Sequence, residues 1–82
     1  MGLAEYRQGR ALTQEAAAAE LGLTSKGYFS SLERGRAIWP LRLALQVEVW
    51  SSGAVKAVDL LDPDDAELLA GVIKRAHAGA GA

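Results

Sequence analysis

Apolar residues recur at helical spacing along most of the chain, and no alternation of period two is long enough to predict a strand. The pattern predicts a short first helix over residues 3–8, ending near Gly9. Thr13 is a good N-cap for a second helix over residues 14–21, whose interior is almost all alanine. Gly22 then permits the left-handed conformation that ends this helix.

A third helix is predicted over residues 25–34, with Thr24 as its N-cap and Gly35 at its end. Phe29 and Leu32 lie three residues apart and therefore share its inner face. Beyond it, Pro40 suits the first turn of a fourth helix that continues to about residue 50. Residues 55–61 predict a short further helix or a turn.

The last element has the strongest start in the sequence. Asp62 is an N-cap, Pro63 occupies the first helical position, and Asp64 and Asp65 favour the positive end of the helix dipole, which explains these acids better than a cation site does. Its apolar stripe contains Leu68, Leu69, Val72, Ile73 and Ala76. Residues 79–82 are predicted to be a disordered tail.

These elements predict one compact all-α domain of five or six helices within the 82 residues. Residues 1–61 form its main part, and residues 62–78 form a C-terminal helix that either covers the core or mediates dimerisation. Half of the residues are apolar, no apolar run approaches the length of a membrane span, and the N-terminus lacks a signal-peptide pattern. We therefore expect a cytoplasmic protein that contacts no membrane.

The sequence offers no chemistry for catalysis or for a cofactor. It has no cysteine, and its single histidine, His77, has no second ligand to complete a metal site. No nucleophile–base pair and no phosphate-binding glycine loop is present. We expect no enzyme, no cofactor and no metal.

Charge is unevenly distributed along the chain, although the net charge is only −1. Residues 1–58 carry seven basic and five acidic side chains, whereas residues 59–82 carry two basic and five acidic ones. The body is therefore mildly basic and the C-terminal piece acidic. Nucleic-acid binding would depend on well-placed charges and not on a general cationic surface.

Residues 13–35 have the features of a helix-turn-helix. Small residues, Ala17 and Ala18, stand where two helices would cross, and Gly22 and Leu23 supply a turn glycine followed by an apolar side chain. Short polar residues then stand at the exposed N-terminal end of the next helix.

The stretch TQEAAAAELGLTSKGYFSSLERG resembles the Cro/repressor-type helix-turn-helix, also called the xenobiotic-response-element family. The resemblance extends over residues 3–61 and implies a λ-repressor-like fold. It also implies a regulator that binds double-stranded DNA with residues 25–34 in the major groove. The spacing from Gly22 to Gly35 is one residue longer than in the commonest members, which shifts the register of base-contacting positions by about one residue.

The resemblance implies the following DNA-contacting residues: Gln14, Thr24, Ser25, Lys26, Gly27, Tyr28, Ser30, Ser31, Arg34, Arg36 and Arg10. Gln14 is expected at a phosphate and Lys26 at guanine O6 and N7, against the alternative that Lys26 is simply solvated. Tyr28 either contacts a thymine methyl group or packs on the helix flank. The three arginines are phosphate candidates, which fix position more than sequence. Because strong base-reading side chains are few, some specificity is expected from DNA shape.

Other prominent residues are expected to have structural roles. In the family, the glutamate that matches Glu33 pairs with an arginine of the first helix, here Arg7, which favours a structural pair over a DNA contact by Arg7. Trp39 and Trp50 are expected in the core or in a dimer interface.

Two classes of function remain open. The first is a nucleoid-associated transcriptional regulator, most simply a repressor, that binds its operator as a homodimer. The second is an antitoxin or adaptor that acts mainly through protein contacts, with the C-terminal helix as a possible protein-binding element. The low net charge favours the second class, and the helix-turn-helix pattern favours the first.

Overall fold

The computed structural model describes the backbone of residues 1–80 and the side chains of residues 1–76, and over residues 1–80 it contains α-helices and no β-strand. The helices are α1 (Leu3–Gly9), α2 (Gln14–Glu20), α3 (Lys26–Glu33), α4 (Leu41–Trp50), α5 (Ala57–Leu60) and α6 (Pro63–Ala80). The prediction of an all-α domain with five or six helices is confirmed. None of the described helices is long and apolar enough to cross a membrane.

Local capping explains where several helices begin. The Thr13 hydroxyl oxygen accepts a hydrogen bond from the Ala16 amide at 3.0 Å, and Asp62 Oδ1 accepts one from the Asp65 amide at 2.9 Å. Both residues therefore satisfy an amide that the first turn leaves unpaired, as their side chains predict.

Two predicted helix starts are wrong by one residue. The N-cap of α3 is Ser25 and not Thr24, because the Ser25 hydroxyl accepts the Tyr28 amide at 3.1 Å. Pro40 is the N-cap of α4 and not its first helical residue, because its extended backbone (ψ 139°) keeps it outside the helix. Its carbonyl accepts the first intrahelical bond, from the Ala44 amide at 3.0 Å.

The core lies where α2, α3, α4 and α5 meet. Its buried side chains are Leu3, Ala17, Ala18, Leu21, Phe29, Leu32, Trp39, Leu43, Ala44, Val47, Val55, Ala57 and Leu61. Ala17 and Phe29 are completely buried, so the small α2 residue allows α3 to approach closely. Trp39 is in the core as expected, whereas Trp50 is only half-buried.

Helix α6 packs against α5, and the molecule measures 44 × 23 × 20 Å. Among the α6 side chains that the structure describes, only Ala66 and Leu69 pack against the core. Leu68 and Val72, predicted as part of a stripe that covers the core or forms a dimer, are 70% and 61% exposed. They do not cover the core, because α6 turns them toward solvent.

The structure does not describe the last residues of the chain in full. The last residue of α6 is Ala80, which falls within the segment predicted as a disordered tail. Residues 81–82 lie outside the described residues, and so does the side chain of His77.

Candidate nucleic-acid interface

Helices α2 and α3 pack against each other and are joined by a short turn, residues 21–25. Gly22 adopts a left-handed backbone (φ 75°), which allows the chain to leave α2 sharply. Leu23 follows it and packs half-buried against the core. This is the arrangement that the sequence predicts for the turn.

The outward face of α3 is formed by small and polar residues. Since successive residues are rotated by about 100°, burial of Phe29 and Leu32 on one side turns the others outward. The outward residues are Gly27, Ser30, Ser31 and Arg34. Lys26 and Tyr28 lie on opposite flanks of this face, and the side chain of Tyr28 is 38% exposed.

Three exposed cations lie at or just beyond the ends of α3. They are Lys26 at its first position, Arg34 at its C-cap and Arg36 just after Gly35. Among the described side chains, no carboxylate lies within ion-pair distance of any of the three. Their charges therefore face solvent and are available to an anionic ligand.

A shallow groove connects α3 to the N-terminus of α2. It is lined by Arg7, Thr13, Gln14, Glu15, Lys26 and Arg34. The groove thus combines two cations at the ends of α3 with the hydroxyl and amide groups at the start of α2, and also contains the Glu15 carboxylate. The cations, hydroxyl and amide are groups that bind phosphate oxygens in protein–DNA interfaces, whereas the carboxylate opposes an anion.

Arg7, which lines this groove, forms an ion pair that joins α1 to the C-terminal end of α3. Arg7 Nε donates to Glu33 Oε2 at 2.8 Å, and Arg7 Nη2 donates to Glu33 Oε1 at 3.1 Å. Arg7 Nη1 also donates to the Leu12 carbonyl at 2.9 Å. The two side chains are only 14% and 7% exposed, so this bidentate pair is a largely buried brace.

The environment of Glu33 shifts its pKa. Burial acts to raise the pKa of this carboxyl, but hydrogen bonds from Arg7 and Gln14 outweigh burial, and the pKa is lowered overall. The pKa of Arg7 is raised, chiefly by its hydrogen bonds to Glu33. Both groups therefore stay charged over the physiological pH range.

Gln14 takes part in the brace. Its side-chain amide donates to Glu33 Oε1 at 3.1 Å, so this donor is directed at the protein and not at a phosphate. The Gln14 side chain is therefore not free for the expected phosphate contact, which falls to the other groups at the start of α2. The Ser25 hydroxyl also makes an internal contact, because it accepts a hydrogen bond from the Tyr28 amide.

Arg10, expected at a phosphate, lies apart from the groove. Its Nη1 forms an ion pair with Glu20 at 3.1 Å, at the other end of α2, and its guanidinium lies over the rings of Tyr6 and Trp50 at 5.8 and 5.5 Å. Trp50 Nε1 donates to the same carboxylate at 3.0 Å and is the main cause of the lowered pKa of Glu20. This cluster stabilises the end of α2 and leaves Arg10 outside the candidate interface.

Sequence reasoning missed an exposed apolar stripe on α4. It contains Ile38, which lies just before the helix, and Leu41, Leu45 and Val49 within it, which are 79%, 48%, 40% and 79% exposed in this order. The last three residues follow the four-residue spacing of one helix face. The spacing is visible in the sequence, but most positions of α4 are apolar, so the sequence does not distinguish the exposed stripe from the buried one.

The described residues contain no group of three or more histidines, cysteines or carboxylates placed to hold a metal ion. No family model, curated protein or solved structure matches the chain. The resemblance to Cro/repressor proteins therefore rests on the sequence motif alone.

Proposed function

We propose that this chain binds double-stranded DNA with α3 in the major groove and acts as a sequence-specific transcriptional regulator, most simply a repressor. The observation that carries the proposal is the outward face of α3. At Gly27, Ser30 and Ser31 this face has only small side chains between the helix backbone and a ligand. The opposite face of α3 is held in the core by Phe29 and Leu32. Such a helix fits the floor of a groove about 12 Å wide.

The cations at the ends of α3 have separate roles in this proposal. Lys26 lies at the N-terminal end, where recognition helices contact base edges, and its ammonium group matches guanine O6 and N7. Arg34 and Arg36 lie at the C-terminal end and bind phosphates, which holds the helix in register. Tyr28 stands on the flank, where its ring reaches a thymine methyl group.

The Arg7–Glu33 brace supports this mode of binding. It neutralises the one acidic side chain of α3 and fixes α3 to α1 and, through Gln14, to the start of α2. The groove therefore keeps its shape without a ligand, which lowers the entropic cost of binding. Because one helix contacts few bases, we expect a homodimer on two half-sites about 34 Å apart, and a nucleoid location in the cell.

Selection of bound duplexes from a random pool, followed by a salt titration of the selected half-site, tests the proposal. We expect log affinity to fall linearly with log salt concentration. Lys26→Ala should reduce the preference for the selected sequence. Lys56→Ala, an exposed lysine at the N-cap of α5, is the control that removes the same charge and should leave that preference unchanged. Failure to retain any duplex, or an equal effect of the two substitutions, contradicts the proposal.

The alternative function is an antitoxin or adaptor that binds a protein. The exposed stripe on α4, with Ile38 and Val49 both 79% exposed, favours this alternative because large exposed apolar patches often mark protein-binding surfaces. The same titration separates the two functions, since such a module would bind no duplex even at low salt.

A further inference from the structure

One face of α6 points away from the body of the protein. Ala66 and Leu69 pack against the core, so the opposite side of the helix faces solvent. That side carries Asp64, Leu68, Gly71 and Arg75, at spacings of four, three and four residues. We call these four residues the α6 seam. Their spacing is that of the contact line between two paired helices.

A shallow depression is centred on the seam. It is lined by Asp64, Glu67, Leu68, Gly71, Val72 and Arg75. A Cβ atom built on Gly71 would meet nothing within 4 Å, so the absence of a side chain leaves open space at this point. Glycine inside a helix costs about 1 kcal/mol relative to alanine. Nothing within the described chain offsets that cost, whereas close approach of a second helix would.

We propose that two copies of this chain pair through their α6 seams in antiparallel orientation. In this arrangement, Leu68 of each copy, 70% exposed in the single chain, enters the depression at Gly71 of the other. Asp64 then lies opposite the partner's Arg75. A two-fold axis repeats each contact, so one seam is complementary to itself.

The charges of α6 favour a second copy of the chain, in antiparallel orientation, as the molecule that covers the seam. The N-terminal half of α6 is acidic and its C-terminal half is basic, so antiparallel pairing places opposite charges together. Asp64 meets the partner's Arg75, and Glu67 meets the partner's Lys74 on the same flank. Parallel pairing would instead place Asp64 against Asp64 and Arg75 against Arg75.

The exposed stripe on α4 lacks this self-complementarity. Arg42 and Glu48 lie on opposite flanks of the stripe, so two antiparallel copies of α4 would not bring them together. Moreover, Glu48 Oε1 already accepts the Ala57 amide at 2.7 Å. The seam is thus the better candidate for self-association, and its pairing does not depend on DNA binding.

Sedimentation equilibrium of the full chain without DNA, over micromolar to millimolar concentrations, tests the surface. We expect a reversible dimer whose Kd rises at least about a hundredfold in Leu68→Asp, because two buried apolar contacts are lost. Leu45→Asp, which places the same charge on the α4 stripe, should leave the Kd unchanged. A native chain that stays monomeric, or dissociation by Leu45→Asp and not by Leu68→Asp, overturns the proposal. Circular dichroism establishes that both variants fold.

Disulfide trapping tests the orientation, since the native chain has no cysteine to interfere. Chains with Asp64→Cys mixed with chains with Arg75→Cys should form a crosslinked dimer on mild oxidation. Asp64→Cys alone should crosslink poorly, because eleven residues of helix, about 16 Å, separate the two sulfurs in the antiparallel pair. Efficient crosslinking by Asp64→Cys alone would show a parallel pair and overturn the proposed orientation.

Discussion

The helix-turn-helix and α6 differ in the kind of side chain that they expose to solvent. In the helix-turn-helix, Phe29 and Leu32 are buried, and the brace between Arg7 and Glu33 is largely shielded from solvent. The surface that remains on the outward face of α3 is formed by small and polar residues, with Tyr28 on its flank. In α6, by contrast, large apolar side chains such as Leu68 face solvent. Internal contacts therefore fix a polar surface in the first region, while the second leaves an apolar surface that only another molecule can cover.

This difference predicts where substitutions change folding and where they change association. Side chains of the helix-turn-helix that make internal contacts should affect the free energy of unfolding. Seam residues of α6 should affect the dimer and leave the unfolding of the single chain nearly unchanged.

The largest expected effect is on the core beneath α3. Phe29→Ala should lower the free energy of unfolding by about 3 to 5 kcal/mol, because it leaves a cavity at a fully buried site. Leu68→Ala, on the exposed seam, should change it by less than about 0.5 kcal/mol. Urea denaturation of dilute, monomeric protein measures both. Equal losses would mean that the two regions do not differ as described.

The brace should contribute the next largest effect. Arg7→Ala should cost on the order of 3 kcal/mol, because it leaves Glu33 charged, nearly buried and without its bidentate partner. Arg10→Ala breaks the exposed pair with Glu20, and its effect on stability should be much smaller. Urea denaturation of the two variants side by side checks the order, and a larger loss in Arg10→Ala would contradict it.

The lowered pKa of Glu33 predicts a dependence of stability on pH. A carboxyl whose pKa is lower in the folded chain stabilises it fully above the ordinary glutamate pKa of about 4.3, and this contribution disappears as the pH falls through the lowered value. Denaturation of the native chain and of Glu33→Gln between about pH 7 and pH 3 measures it. The native chain should lose more stability than the variant on acidification, and parallel curves would contradict the assigned shift.

A small effect of the opposite sign on folding is expected at Gly27. A Cβ there would meet its nearest neighbour, Ser25 Oγ, at 3.6 Å, an ordinary contact, so Gly27→Ala should raise stability by up to about 1 kcal/mol. The added methyl group should nevertheless weaken binding to a single half-site about tenfold, because it separates α3 from the groove floor. Gly71→Ala should raise stability similarly without this loss. Unchanged half-site affinity in Gly27→Ala would mean that this face does not approach DNA.

Features set by neighbours in the sequence were predictable. The caps at Thr13 and Asp62 and the turn glycines Gly22 and Gly35 act through backbone groups a few residues away, so the sequence alone indicates them. The Arg7–Glu33 contact joins residues 26 apart, and only the family resemblance pointed to it.

Features set by tertiary neighbours were not predictable. Nothing in the local sequence indicates that Gln14 turns toward Glu33, or that Arg10 lies beside Trp50 and Glu20. The direction of the α6 stripe was also open, because an apolar stripe indicates burial without saying whether the same chain or another molecule provides it. These positions depend on how helices distant in sequence pack together.

The measurement that tests the central claim most directly compares two arginines by fluorescence anisotropy with a labelled, selected half-site duplex. Arg34 lies on the outward face of α3, whereas Arg10 is held by Glu20 outside the groove. Arg34→Ala should weaken binding to all sequences alike and make the slope of log affinity against log salt shallower by about 0.9, the value for one lost phosphate contact. Arg10→Ala should leave the slope unchanged. A slope that Arg34→Ala does not alter, or that Arg10→Ala alters as much, would contradict the placement of DNA on α3.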